Sequence, residues 1–460
     1  MERDTQRSMT KYYPRTIVLV SMFFVFFFMR SPSLTSQDIS LKADEYIQAH
    51  VGMNQFSGSV LIAKDGQIIL KKGYGFANYE HDVPNDAQTK FCLASLTKQF
   101  TAMAVMQLCE AGLLNVDDPI NKHIPEYPNG DKITIHHLLS HTSGIPNFTA
   151  SVDEETRVKP CSLEEIIERF KDEPLEFTPG EKFRYCNAGY YLLGYVIEKV
   201  TGASYESVLK RQIFDQLGMA NSGYDRHSSI LKKRASGYSL RDSKLVNADY
   251  VCVANTHASG ALYSTVEDLF LWDRVLYTEK LLKKKSLELM FTPFTDQYGY
   301  GWGIVQVFDR KFVGHNGDME GFQTHISRFI DDDVCVIVLS NYGHAPIGKI
   351  GVDLAAIVFG ESYTIPRQRV AVYVDPEVYN AYVGQYAVSP KFTLTIIKED
   401  DRLYCQPTGQ ERLEIVPESE STFFLREVDA QISFVRDEDG KVGKLILHQS
   451  GRDIPAKKVE

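Results

Sequence analysis

The sequence lacks any long run of lysine or arginine. Its 50 basic residues are spread among 60 acidic ones, and the formal net charge is -10 at pH 7. Proteins that bind nucleic acid or other polyanions concentrate positive charge on one surface, and this sequence contains no such cluster. We therefore expect no nucleic-acid partner.

Paired cysteines are also missing. The seven cysteines are odd in number and scattered, and none belongs to a Cys-x-x-Cys pair. Disulfide frameworks use even sets of cysteines, and structural zinc sites use closely spaced pairs of ligands. The sequence predicts neither a disulfide framework nor a metal site.

Long apolar runs are scarce, and the most marked one lies near the N-terminus. Residues 17–29 contain a single polar residue, Ser21, and basic residues precede them at Arg3, Arg7, Lys11 and Arg15. Such a run is short for a bilayer span but typical of an export signal. We interpret residues 1–36 as a signal peptide of an exported protein, periplasmic or secreted. No clean Ala-x-Ala cleavage site follows, so an uncleaved anchor, the one membrane contact we would expect, is the alternative.

Ser95 and Lys98 are the most informative pair in the chain. They are three residues apart at the start of a strongly apolar segment that continues to Glu110, which predicts neighbouring side chains on a buried helix. Lys98 is the only charged residue from Ser95 to Cys109. An unpaired ammonium that leaves water responds with a lowered pKa, so Lys98 is suited to accept the Ser95 proton.

The same spacing has a plainer interpretation, in which Ser95 caps a helix and Lys98 reaches outward. Ser-x-x-Lys also occurs at Ser207/Lys210 and Ser229/Lys232, where further basic residues follow the lysine and indicate solvated faces. The apolar surroundings of Ser95 favour the catalytic interpretation.

Three later stretches carry polar residues in unusual settings. Tyr185 and Asn187 face the same way if the backbone is extended, and residues 313–322 hold His315, Gly317 and Asp318 in a glycine-rich segment. The glycines favour close approach of another backbone or a ligand. Residues 133–146 are predicted to form a helix that ends at Gly144 and Pro146, and we interpret its histidines, His136, His137 and His141, as structural.

The strand pattern predicts an α/β (α+β) fold. Residues 56–63 and 67–76 form one predicted hairpin around Asp65-Gly66, and residues 324–330 and 334–340 form a second. Together they predict an antiparallel sheet flanked by helices, with a mainly helical subdomain inserted between the hairpins. We assign this unit to residues 40–365.

Taken together, these stretches resemble the serine β-lactamase and penicillin-binding-protein superfamily, in particular its class C-like branch of esterases, D-aminopeptidases and carboxypeptidases. The resemblance rests on Ser95-x-x-Lys98, Tyr185-x-Asn187 and His315-x-Gly317 in the family's order. Four phrases also resemble this branch, at residues 138–144, 177–180, 217–219 and 259–265.

The resemblance implies roles for these residues. Ser95 attacks an acyl carbon after passing its proton to Lys98 or Tyr185, and Tyr185 then protonates the leaving group. Asn187 fixes the lysine and a substrate amide, and the backbone N–H groups of Ser95 and Asp318 bind the oxyanion. The expected substrates are small esters, peptides or amides, and no cofactor is required.

One departure from the family pattern limits the substrate. Many relatives that act on β-lactams have Lys-Thr-Gly where this chain has His315-Asn316-Gly317, and that lysine holds a substrate carboxylate. An unperturbed imidazole titrates near pH 6.5, so we expect the binding of anionic substrates to improve at acid pH. An ester or peptide hydrolase is therefore favoured.

Two alternative functions remain. The first is a D,D-carboxypeptidase or weak β-lactamase, and the second is a non-catalytic sensor or scaffold for peptidoglycan fragments.

Residues 373–460 contain none of these motifs. Short alternating runs are separated by turn signals at residues 399–401 and 437–440, which predicts a small all-β domain, a sandwich or a barrel. It resembles the lipocalin-like domain found behind some members of this branch.

Overall fold

The computed structural model describes residues 34–147, 157–226, 228–242, 244–295, 297–367, 369–390, 392–425, 430–449 and 452–459. The predicted signal peptide or anchor, residues 1–36, lies almost wholly outside this part of the chain. Among the helices that are described, none is long and apolar enough to cross a membrane.

A six-stranded antiparallel sheet forms the centre of the larger unit. Its strands run in the order β10-β11-β12-β13-β1-β2, so the first and last predicted hairpins lie side by side. Asp65 and Gly66 join β1 to β2 with φ angles of 51° and 71°, the left-handed turn that matches the twist of a hairpin. The strands of this unit are β1 (Gly58–Lys64), β2 (Gln67–Tyr74), β3 (Phe76–Asn78), β4 (Val83–Pro84), β5 (Phe91–Cys92), β6 (Gly223–Tyr224), β7 (Tyr238–Arg241), β8 (Lys244–Asn247), β9 (Leu262–Ser264), β10 (Gly303–Val307), β11 (Arg310–Met319), β12 (Phe322–Phe329) and β13 (Val334–Ser340).

Helices cover both faces of this sheet. The helices are α1 (Ser36–Gly52), α2 (Thr97–Glu110), α3 (Ile135–Leu139), α4 (Leu163–Glu168), α5 (Asn187–Thr201), α6 (Tyr205–Leu209), α7 (Asp215–Leu217), α8 (His257–Gly260), α9 (Val266–Val275), α10 (Lys284–Met290) and α11 (Ile347–Phe359). Strand β13 is buried on both sides: Val336 belongs to the apolar cluster with α1 and α11, and Ile337 to the cluster with α2 and α9. This explains why β13 is a continuous apolar run rather than an alternating one.

The predicted mainly helical insertion is confirmed, with two differences. Short strands β3 to β9 also lie in it. The predicted helix over residues 133–146 is wrong in length, because α3 spans only Ile135–Leu139. The chain leaves the helix where His141 adopts a left-handed φ of 58°, and its carbonyl accepts a hydrogen bond from the Arg184 N–H at 2.8 Å. A tertiary contact therefore ends the helix before the glycine and proline.

A buried ion pair joins the sheet to α9. Asp273 and Arg328 are both 0 % exposed, and the Arg328 Nε donates to Asp273 Oδ1 at 2.5 Å. Because a buried charge that loses its partner keeps its desolvation cost, we expect Asp273→Asn to lower the free energy of unfolding by about 3–5 kcal/mol.

Urea denaturation followed by tryptophan fluorescence measures this loss, since both tryptophans, Trp272 and Trp302, are buried near the pair. The matched control is Asp215→Asn, which removes the exposed Lys210–Asp215 pair. That change is expected to cost less than about 1 kcal/mol. Equal losses in the two variants would show that the buried pair is not a major source of stability.

The C-terminal strands form a closed eight-stranded antiparallel barrel in which β14 pairs with both β15 and β21. Its interior holds both aliphatic and aromatic side chains, and the rings of Tyr382 and Phe434 stack with centroids 4.1 Å apart. Of the two predicted all-β architectures, the structure is the barrel. Its strands are β14 (Gly384–Ser389), β15 (Phe392–Glu399), β16 (Arg402–Pro407), β17 (Leu413–Pro417), β18 (Thr422–Leu425), β19 (Ala430–Arg436), β20 (Val442–Gln449) and β21 (Arg452–Lys458).

Candidate active site

Ser95 lies in a tight turn between β5 and α2. Ala94, just before it, has a φ of 47°, a left-handed conformation that costs a non-glycine residue of order 1–3 kcal/mol. The turn is held from two sides: the Leu93 N–H donates to Leu262 O at 2.7 Å, and the Thr324 hydroxyl donates to Leu93 O at 2.8 Å. The turn places Ser95, which is partly exposed, at the head of a buried helix.

Lys98 is completely buried one helical turn after Ser95. Its Nζ lies 3.0 Å from Ser95 Oγ, 2.8 Å from Asn187 Oδ1 and 2.9 Å from Ser259 O. Within the described residues it forms no ion pair with a carboxylate. Burial lowers the pKa of Lys98 to about 7. The predicted burial and lowered pKa are both confirmed.

The three partners of Lys98 determine what its neutral form can do. The amide oxygen of Asn187 and the carbonyl of Ser259 only accept hydrogen bonds, so both require an N–H from the lysine. A neutral amine has two N–H groups and one lone pair, and the lone pair is then left for the hydroxyl proton of Ser95. The arrangement suits a general base, because near pH 7 both forms of Lys98 are populated.

Tyr185 lies beside Lys98. Its ring centroid lies 5.0 Å from Lys98 Nζ. Burial raises the pKa of Tyr185 well above its usual value of 10, and a hydrogen bond with the Ser95 side chain acts in the opposite direction. The phenol is therefore protonated at neutral pH. In that state Tyr185 can donate a proton but is poorly suited to take one from Ser95, whereas neutral Lys98 can accept it.

Asn187 is the first residue of α5, and it holds Lys98 from the N-terminus of that helix. Its backbone N–H donates to Asn147 Oδ1 at 3.2 Å, while its side-chain oxygen accepts from Lys98. Two segments that are distant in the sequence thus bring together the side chains of Ser95, Lys98, Tyr185 and Asn187.

His315 differs from the expectation of an imidazole that titrates near pH 6.5. Its Nδ1 is 2.5 Å from Asn316 O, which can only accept, so Nδ1 carries the proton and Nε2 accepts from the Tyr298 hydroxyl at 2.9 Å. Burial, followed by the charge of Lys98, lowers the pKa of His315 to about 3. The expected gain of a cation at mildly acid pH is therefore wrong.

Gly317 and Asp318 follow on the same strand, β11. A Cβ atom on Gly317 would lie 2.2 Å from both Leu93 O and Thr324 Oγ1, so only glycine allows β11 to pack against the turn that carries Ser95. The predicted close backbone approach is confirmed. Asp318 is exposed as a whole, but partial desolvation of its carboxyl group, followed by the charge of Glu320, raises the pKa of that group above the usual value.

Several residues beside these side chains were not singled out from the sequence. Tyr190, Tyr298 and the carbonyl of Ser259 contact the residues described above, and they reach the site only through tertiary folding. His137 and His141 are spaced as metal ligands could be, but their Nδ1 atoms accept backbone N–H groups. In the described part of the chain no group of three or more histidine, cysteine or acidic side chains is placed to hold a metal.

Comparison with known proteins places this geometry in a family. The β-lactamase family matches residues 43–357, and a domain of unknown function, DUF3471, matches residues 368–458. Penicillin-binding protein 4* of Bacillus subtilis (strain 168) is 32% identical over 434 residues, which cover 88% of this chain and 95% of that protein.

Solved structures show the same relationship. An octameric penicillin-binding protein homologue from Pyrococcus abyssi superposes with a TM-score of 0.67 at 28% identity, covering 90% of this chain and 99% of that one. D-amino acid amidase from Ochrobactrum anthropi SV3 shares the fold, with a TM-score of 0.62 at 23% identity over 70% of this chain and 98% of its own. The chain belongs to the β-lactamase family and is a serine hydrolase of the β-lactamase-related type.

Proposed function

We propose that this enzyme cleaves esters or short D-amino-acid peptides and amides through an acyl-enzyme on Ser95. The observation that carries the proposal is the buried Lys98, 3.0 Å from Ser95 Oγ, with a pKa lowered to about 7 and two of its three partners able only to accept. A lysine in that state removes a hydroxyl proton at neutral pH, whereas a solvated lysine does not.

The acylation step follows from these contacts. Ser95 Oγ forms a bond to the acyl carbon while its proton passes to Lys98 Nζ. The bond to the leaving group then breaks, and the leaving atom takes the phenolic proton of Tyr185, which Lys98 restores. Water hydrolyses the acyl-enzyme in the reverse sense, giving its proton to the same pair and returning a proton to Ser95 Oγ.

The oxyanion of the tetrahedral intermediate needs two fixed donors. We assign this role to the backbone N–H groups of Ser95 and Asp318. The packing of Gly317 against Leu93 supports the assignment, because it brings β11 next to the turn that carries Ser95.

The charge of the substrate is the next constraint. His315 is neutral and both of its ring nitrogens are hydrogen-bonded, so it supplies no cation for a carboxylate on the leaving-group side. This favours neutral esters and amides over the D,D-carboxypeptidase or β-lactamase alternative. The relatives named penicillin-binding proteins keep that alternative as the second candidate. A non-catalytic sensor or scaffold would not need a lysine with a lowered pKa beside Ser95, so the state of Lys98 favours the enzyme.

A substrate panel tests the proposal. p-Nitrophenyl esters, D-aminoacyl amides, D-Ala-D-Ala peptides and a chromogenic cephalosporin are compared by kcat/KM. We expect the neutral esters and amides to be cleaved well and the other two poorly. Preferred turnover of D-Ala-D-Ala peptides would support the second candidate, and no turnover of any of them would support the sensor.

Replacing His315 tests the charge argument. Between about pH 5.5 and 8 the native kcat/KM ratio for a matched carboxylate and neutral ester should stay constant, because His315 with a pKa of about 3 does not titrate there. His315→Lys should raise the ratio about 10- to 100-fold through a charge-assisted hydrogen bond. The neutral control is His315→Gln, which should leave the ratio near the native value. A native ratio that rises toward pH 5.5 would contradict the account.

We also propose that residues 40–365 and 373–460 are separate domains. The closed barrel supports this division, since among the described residues its strands pair only with one another. A chain that ends at Pro366 is expected to remain folded and to keep most of its kcat for p-nitrophenyl acetate, measured against the full chain after active-site titration. Loss of folding and of all turnover would show that the barrel is part of the catalytic unit.

We propose further that the protein works outside the cytoplasm. The apolar N-terminal run after four basic residues supports export. Export can be tested by fractionating cells that express the full chain. The protein is expected outside the cytoplasm or on the membrane, and recovery only from the cytoplasm would contradict the proposal.

A further inference from the structure

His141 lies directly behind the Tyr185 ring. The two ring centroids are 4.3 Å apart with the planes at 37°, and the imidazole also contacts Tyr298 at 4.8 Å. His141 is 1 % exposed. A side chain this deeply buried cannot meet the substrate, so any influence on the reaction has to pass through the groups that it touches.

His141 accepts hydrogen bonds from the backbone on either side of Tyr185 in the sequence. The carbonyl of His141 accepts the N–H of Arg184 at 2.8 Å, and its Nδ1 accepts the N–H of Cys186 at 3.1 Å. One residue therefore holds the backbone N–H groups of the residues before and after Tyr185, while its ring lies against the Tyr185 ring. The left-handed φ of 58° lets the carbonyl and the ring reach the same segment.

The imidazole is also held in one protonation state. Because Nδ1 accepts from Cys186, the ring proton is on Nε2, and this atom has no hydrogen-bond partner among the residues that the structure describes. Burial, followed by the charge of Lys98, holds the pKa of His141 well below its usual value. Protonation would destroy the acceptor for Cys186 and place a second cation near Lys98.

We propose that His141 is a positioning residue that sets the phenol of Tyr185 against Ser95 and Lys98. The inference rests on the proposed role of Tyr185. A strained backbone conformation such as that of His141 persists only where surrounding contacts hold it in place. Here two hydrogen bonds and one ring contact hold His141 against residues 184–186. A misplacement of a catalytic group by about 1 Å is enough to lower kcat about 100-fold.

The test compares two amides at position 141. In His141→Asn the side-chain oxygen occupies the place of Nδ1 and can still accept from Cys186, and asparagine tolerates the left-handed backbone. In His141→Gln the oxygen is one bond farther out and cannot replace Nδ1. Each variant is made in the native chain and in Tyr185→Phe, which keeps the ring but lacks the phenol. The kcat and KM for a neutral alkyl ester, whose leaving oxygen needs a proton, are measured and normalised to active sites titrated with a fluorophosphonate.

With Tyr185 present, we expect kcat for His141→Gln to fall about 10- to 100-fold below that of His141→Asn, with little change in KM. With Tyr185→Phe, the two variants should agree within about threefold, because the group that His141 positions is gone. Melting temperatures show whether either variant loses stability, and titration removes unfolded protein from the comparison.

The outcomes separate the two proposals. If the ratio of kcat between His141→Asn and His141→Gln were the same with Tyr185 and with Tyr185→Phe, the proposed role of His141 would be wrong. Its effect on the reaction would then not depend on the phenol. Equal native-like rates for the Asn and Gln variants would overturn it as well. If Tyr185→Phe alone kept native activity, the proposed function of Tyr185 would fail, and the inference about His141 would fail with it.

Discussion

Replacing Ser95 with alanine is expected to lower kcat/KM for a p-nitrophenyl ester about 10⁴- to 10⁶-fold while the protein stays folded. Without Oγ no acyl-enzyme forms, and only the oxyanion donors and substrate binding are left to accelerate attack by water. Ser95 is partly exposed and its side chain fills no apolar core, so the melting temperature should change little.

The chain offers a matched control for this variant. Ser207 stands in the same Ser-x-x-Lys spacing, but it is exposed and its lysine, Lys210, pairs with Asp215. Ser207→Ala should therefore keep native turnover. If Ser95→Ala kept more than a few per cent of native activity, the nucleophile would be another residue.

The second large effect is expected for Lys98→Arg. Arginine retains the positive charge and is close in size, but a guanidinium is not deprotonated in proteins and cannot accept the Ser95 proton. We expect kcat to fall about 10³- to 10⁴-fold at every pH between 5.5 and 9. In the native enzyme kcat/KM for a neutral ester should rise with pH and level off, with a midpoint near the Lys98 pKa of about 7.

The direction of this pH dependence follows from the role of the base. Lys98 is active when neutral, and the neutral fraction grows as pH rises through its pKa, so activity is lost on the acid side. Lys210→Arg, at an exposed lysine, is the control and should keep the native profile. A flat native profile across pH 5.5 to 9, or near-native turnover by Lys98→Arg, would show that the base is a different group.

Local patterns predicted much of the sheet and of the nucleophile helix. Asp65-Gly66 specifies a hairpin through backbone angles that few other pairs adopt, and the apolar residues after Ser95 predict burial without knowledge of the fold. The spacing of Ser95 and Lys98 predicted that their side chains lie together, and they do so although Ser95 lies in the turn that precedes α2. These features depend on neighbours within a few residues, so the sequence contains them.

The remaining features depend on tertiary contacts that no local pattern reports. The neutral state of His315 follows from burial beside Lys98 and from the hydroxyl of Tyr298, which comes from a different loop. The early end of α3 follows from the hydrogen bond that His141 makes with residue 184. The carbonyl of Ser259 becomes a partner of Lys98 only when α8 packs against α2.

Mass spectrometry of the enzyme after fluorophosphonate treatment tests the central claim most directly. Digestion of the inactivated native protein should give a single phosphonylated peptide, the one that contains Ser95, with a stoichiometry close to one per chain. The adduct should form faster as pH rises through about 7, the pKa of Lys98, and it should be absent from Ser95→Ala. An adduct on a different serine, or continued ester turnover by protein that is fully labelled at Ser95, would contradict the account.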